Sequence, residues 1–107
     1  MSLPSGLELA RLDALADGDA LLAADESVIV TRCGERVSAF RNRCPHAGYP
    51  LQRGDGRIVV QAGRFMICAA HGASFHLETG ACAGGPCNGE GLERVAIAVR
   101  DGKVLTA

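Results

Sequence analysis

Glycine interrupts this chain before any long helix can establish itself. Fourteen glycines fall among 107 residues, and no stretch sustains an apolar period of 3.6 with capping residues at its ends. What lies between the glycines is short and alternating. Leu7-Glu8-Leu9-Ala10-Arg11-Leu12 places apolar and polar side chains at period two, the mark of a half-buried strand. Residues 13–19 read as a turn with room for one helical turn. Val28-Ile29-Val30 is a β-branched run, Cys33-Gly34-Glu35 a tight turn, and Val37-Ser38-Ala39-Phe40 the returning strand of a hairpin. Residues 57–61 and 64–68 about Ala62-Gly63 form a second hairpin. A third joins residues 94–99 to Val104-Leu105 through Asp101-Gly102, a strong turn signal between alternating runs. The expectation is a mainly β chain of antiparallel strands, one domain over residues 1–107.

Composition narrows the function. Apolar residues make up 48% of the chain, enough for a core, yet aromatics are only 4% and tryptophan is absent. The longest apolar run is the six residues 65–70, far short of the roughly 20 a membrane helix needs. Met1-Ser2-Leu3-Pro4 carries neither a basic nor an apolar leader, so the cytoplasm is the expected compartment, with no membrane association. The net charge of −1 hides a gradient. Residues 1–26 net −5, residues 27–64 net +5 through seven arginines, and the remainder nets −1. The basic middle suits an acidic protein partner or simply a solvated surface. Nucleic acid is a poor match, because no dense basic run exists and stacking aromatics are scarce. Five cysteines in a reducing compartment point to metal or redox chemistry ahead of a disulfide framework.

Two segments carry that chemistry: Cys44-Pro45-His46 and Cys68-Ala69-Ala70-His71. Each sets one thiol and one imidazole within two or three residues, in a loop that follows an expected strand. Two thiolates and two imidazoles are a soft four-donor set. Zinc is one candidate, but its usual spacing pairs cysteine with cysteine and histidine with histidine. Mixed loops suit a binuclear centre in which one iron takes both thiolates and the other both imidazoles.

At these residues the chain resembles the Rieske [2Fe–2S] proteins, whose signature is C-x-H, a spacer, then C-x-x-H. Asn42-Arg43-Cys44-Pro45-His46-Ala47-Gly48 is similar to the family's first cluster loop and His71-Gly72-Ala73-Ser74-Phe75 to its second. Residues 77–80 and then Gly85-Pro86 resemble the segment that leads to the proline loop over the cluster. The resemblance implies a fold of antiparallel sheets with a small cluster-binding subdomain, its loops at about 42–51 and 66–88. It implies one [2Fe–2S] cluster per chain, with Cys44 and Cys68 on the inner iron and His46 and His71 on the outer one. His76 stands where relatives more often carry Asp or Asn and is not expected to bind.

High-potential relatives tie the two loops by a disulfide at positions that are Tyr49 and Ala70 here. They also hydrogen-bond the cluster sulfurs from a Ser and a Tyr, where this chain has Ala73 and Phe75. Fewer such bonds leave the reduced state less stabilised, so the potential should lie near the low end of the Rieske range, roughly −150 mV. The chain then resembles the small soluble Rieske ferredoxins, which carry electrons from a flavin-dependent reductase to a terminal oxygenase. Such a carrier is a monomer and turns over no substrate alone. Two other readings stand beside it: the small subunit of an NADH-dependent nitrite reductase, and a zinc-stabilised binding module with no redox role. Cys33 reads as an ordinary thiol. Cys82 and Cys87 flank Ala83-Gly84-Gly85-Pro86 and could close a disulfide clamp or pack as two free thiols. A reducing compartment favours the free thiols.

Overall fold

The computed structural model describes residues 4–45, 48–87 and 89–107. Among them run ten short strands and one 3-10 turn: β1 (Glu8–Arg11), the turn (Leu12–Ala14), β2 (Asp19–Ala23), β3 (Val28–Cys33), β4 (Arg36–Arg41), β5 (Val59–Gln61), β6 (Phe65–Ile67), β7 (Ser74–His76), β8 (Cys82–Gly84), β9 (Ile97–Arg100) and β10 (Lys103–Thr106). They pair antiparallel in three sheets, ordered β1-β10-β9, β2-β3-β4 and β5-β6-β7-β8.

The three expected hairpins are present. Ala62-Gly63 and Asp101-Gly102 both take positive φ at their two central residues (56° and 63°, 52° and 72°), the twist that matches right-handed strands. The turn after β3 is Gly34-Glu35, and Cys33 still belongs to the strand, opposite Arg36. Three strands gave no signal beforehand. Ala20-Leu21-Leu22-Ala23 in β2 does not alternate, and β7 and β8 are only three residues each. In β2 the missing alternation hides the strand, and in β7 and β8 too little chain is present for a period to show.

The sheet β2-β3-β4 stands between two cores. Ile29 and Phe40 face one, with Leu51, Met66, Phe75 and Leu77. Val28, Val30 and Ala39 face the other, with Leu9, Leu15 and Val104. A strand buried on both faces must satisfy any polar side chain it carries. Thr31, fully buried, donates from its hydroxyl to the Leu77 carbonyl at 2.6 Å, and Ser38 donates to the Glu78 carbonyl at 3.0 Å. These bonds hold the β7–β8 turn against the central sheet. Gly80 in that turn has φ +74°, and a Cβ there would lie 2.5 Å from a ring carbon of Phe40.

Gly80→Ala therefore combines left-handed strain with overpacking, a loss of roughly 3 kcal/mol by thermal or urea unfolding. Ala62→Asn, which accepts positive φ more readily, is expected to gain up to about 1 kcal/mol and raise Tm by about 4–8 °C.

Candidate metal centre

One pair of closing hydrogen bonds recurs three times along the chain. The Cys44 N–H donates to the Tyr49 carbonyl at 2.8 Å while the Gly48 N–H donates back to the Cys44 carbonyl at 2.7 Å. The Cys68 N–H donates to the Ala73 carbonyl at 2.7 Å and the Gly72 N–H to the Cys68 carbonyl at 2.8 Å. His76 and Gly80 repeat the pattern, through Ala81 and His76, at 2.9 and 2.8 Å. The closing glycines take φ of +76°, +79° and +74°. Each is a four-residue loop that returns the chain on itself. The second joins β6 to β7 and the third joins β7 to β8. The spacing Cys-x-x-x-Gly, shared by both cysteine loops, was visible in the sequence and marks a supporting residue that the ligand pattern alone passed over.

The two cysteine loops are tied together. The Asn42 side chain accepts from the Leu51 N–H at 2.8 Å and donates to the Glu26 carbonyl at 2.8 Å and to Gln52 at 2.6 Å. The Leu51 carbonyl accepts from the Ala69 N–H at 3.1 Å. Residues of the first loop thus hold the entry to the second.

The structure brings Cys44 and Cys68 into one buried core, at 1% and 0% exposure. Burial pushes the Cys68 thiol above its ordinary value of 9.0, and the Cys44 thiol beside it adds to the rise. The backbone N–H groups of Ala70 and His71 aim at the same sulfur and pull the other way. His71 lies exposed at the loop tip, its ring 5.6 Å from that of the exposed Tyr49 and inclined at 61°. His46 lies outside the described residues. Among the described residues no three histidine, cysteine or acidic side chains converge on one point. His76 stands elsewhere, exposed on β7 with its ring 5.1 Å from Phe65, in a hollow shared with Cys33, Arg64 and Glu78.

Cys82 and Cys87 are joined as a disulfide, contrary to the expectation of two free thiols. Compartment chemistry favours thiols, but chain geometry brings the partners together. After β8 the chain folds back at Gly85, with the Cys87 N–H donating to the Gly85 carbonyl at 2.9 Å, and the two Cα atoms come to 6.0 Å. That separation suits the bond. The returning segment lies over the second loop so closely that a Cβ on Gly85 would stand 2.9 Å from the Gly72 carbonyl oxygen.

Paired thiols in an apolar core, amide donors aimed at one sulfur, an exposed imidazole and a covering segment fit a metal–thiolate centre with a wet outer side. The comparisons with known proteins agree. The family model for the Rieske [2Fe-2S] domain matches residues 7–101. The chain belongs to the Rieske family. Its cofactor is accordingly a Rieske-type [2Fe–2S] cluster. Among solved structures this Rieske chain is similar to the ferredoxin of carbazole 1,9a-dioxygenase from Nocardioides aromaticivorans IC177, at 28% identity and TM-score 0.75, over 97% of this chain and 98% of that one. It is similar to the Sphingomonas yanoikuyae B1 ferredoxin at 27% identity and TM-score 0.73, over 94% and 96%. A chain described as a small subunit of an NADPH nitrite reductase shares the fold at 18% identity and TM-score 0.63, over 97% and 99%. A search among curated protein sequences finds no match.

The raised Cys68 thiol gives the metal-free protein a pH signature. A thiol that holds its proton more tightly when folded contributes stability below 9.0, and that stability is lost as pH rises through the folded value. Thermal unfolding of the metal-free protein from pH 7 to 11 should show this alkaline loss, and Cys68→Ala should flatten it relative to the unaltered chain.

Proposed function

We propose that this Rieske protein is a one-electron carrier of the oxygenase-ferredoxin kind, in which Cys44 and Cys68 hold the inner iron and His46 and His71 the outer one. The observation that carries the ligand set is the twinned loop. Two turns of one geometry bring the thiols together in the core and set His71 at the surface. When bound, the [2Fe–2S] cluster supplies reversible one-electron transfer. The chain's residues do the rest. The amides of Ala70 and His71 favour the thiolate form of Cys68, the covering segment at Gly85 shields the second loop, and the edge of His71 gives the electron a short route to a docked partner.

Residues 1–107 act as a single Rieske domain, with its cluster loops at about 42–51 and 66–88. A flavin-dependent reductase supplies the electron and a terminal oxygenase receives it. The near end-to-end match to a carbazole dioxygenase ferredoxin supports this role. The likeness to a nitrite reductase small subunit supports the fold alone. No helix is long and apolar enough to cross a membrane among the described residues, and we assign the carrier to the cytoplasm as a monomer.

Iron and acid-labile sulfide in equal amounts on brown protein are expected, whereas one zinc on colourless protein would overturn the reading. His71→Ala should abolish the Rieske spectrum and His76→Ala should keep it. Ala73 and Phe75 are both fully buried and carry no hydroxyl to bond a cluster sulfur, so redox titration should place the midpoint near −150 mV, at roughly the low end of the Rieske range. A midpoint well above zero would exclude the assignment. Ala73→Ser should move it upward.

A further inference from the structure

We propose that Cys82 and Cys87 form a second redox site, a dithiol–disulfide pair that exchanges with a dithiol reductant and fastens residues 83–86 over the second cysteine–histidine loop. Only the consequence for the cluster rests on the electron-carrier reading.

Three observations carry it. The first is what the bond holds down. Cys82 is anchored in β8 by its pairing with Phe75. Beyond β8, residues 85–91 make their backbone hydrogen bonds to one another among the described residues, from Cys87 to Gly85 and from Glu90 to Cys87, until Leu92 rejoins Gly80. The disulfide is thus what ties this segment covalently back to the sheet, alongside the burial of Cys87 in the core. It does so where Gly85 packs on Gly72 and Ala73 with no room for a Cβ.

The second observation is access. Cys82 is half-buried on an edge strand, whereas Cys87 is 1% exposed. An incoming thiolate meets the Cys82 sulfur first and expels Cys87. The third is the place that receives Cys87. Its sulfur lies 3.2 Å from the Gly84 carbonyl oxygen and 3.9 Å from that of Ser74, so a released thiol finds acceptors already in position. Both redox states have a satisfied site for Cys87, which a purely structural clamp does not require.

The exchange balances as follows. A thiolate of the reductant attacks the Cys82 sulfur, the Cys82–Cys87 bond breaks, and Cys87 leaves as a thiolate and takes a proton. The reductant's second thiolate then attacks its own sulfur in the mixed disulfide, which frees Cys82 to take the second proton. Two electrons and two protons pass to the pair and the reductant becomes a disulfide. With the bond open, the covering segment keeps its turns and the packing of Cys87, but it is no longer fastened covalently over the loop that bears His71.

The test equilibrates the protein as isolated, with whatever metal it holds, in mixtures of reduced and oxidised dithiothreitol. It is then quenched with N-ethylmaleimide for mass measurement, with amide hydrogen exchange followed in parallel. Two labels should appear together on Cys82 and Cys87 in one reversible transition of the folded protein. Exchange of the Cys87 and Glu90 amides should speed at least tenfold in the dithiol form. Cys82→Ser with Cys87→Ser should show the fast exchange at every mixture. A pair that stays unlabelled until the chain unfolds, or one that is labelled in the most oxidising mixture, overturns the proposal. So does labelling with no change in exchange. Failure of the electron-carrier reading would show separately, as absent iron and sulfide, and leaves these readouts intact.

Discussion

The backbone of Leu51 joins two turns that would otherwise be independent. Its N–H is held by the Asn42 side chain and its carbonyl by the Ala69 N–H, while its side chain is fully buried in the core that includes Cys44 and Cys68. Two cysteines 24 positions apart in sequence need their separation fixed if they are to share one metal ion. A hairpin turn sets the direction of its own cysteine only. The register between the turns comes from this link, and behind it from Asn42, which also grips the Glu26 carbonyl at the end of the β2–β3 turn. Three successive residues of that turn, Ala24, Asp25 and Glu26, lie at positive φ. Such a backbone persists only where neighbours over-determine it, and Asn42 is one of those neighbours.

Much of this could be read in the sequence, and what could not has physical causes. Hairpins with two-residue turns showed plainly, because Ala62-Gly63 and Asp101-Gly102 carry their own φ requirement. The ligand segments showed because four soft donors in mixed pairs suit few alternatives. Strands β7 and β8 stayed hidden because three residues cannot display a period. The union of Cys82 with Cys87 stayed hidden because it depends on a fold-back at Gly85, which the spacing of the cysteines does not reveal. His76 illustrates the reverse. It shares the ligands' residue type but is not expected to bind, and it stands on β7 against Phe65.

The basic middle of the chain also looks different once folded. Arg36 reaches Glu78 at 3.0 Å, Arg41 reaches Glu93 at 3.5 Å and Arg53 reaches Asp55 at 3.7 Å. Asp55 is already counted in the +5 of residues 27–64, so only Glu78 and Glu93, from farther along the chain, offset it. These pairs are largely exposed and add little stability. Their effect is on the field that a partner meets, which is weaker than a count along the sequence suggests.

Sheet β1-β10-β9 pairs Glu8 with Leu105 and fixes Gly6 to Thr106 at 2.8 Å, contacts that close nearly the whole length of the chain. The cysteine loops, by contrast, close over five residues each. Peeling either end from that sheet would uncover Leu9 and Val104 in the second core, yet it would leave every hydrogen bond of the loops in place. The molecule can breathe at its ends without disturbing its centre. Loosening at the paired ends of the chain thus leaves the geometry of the cysteine loops as it was.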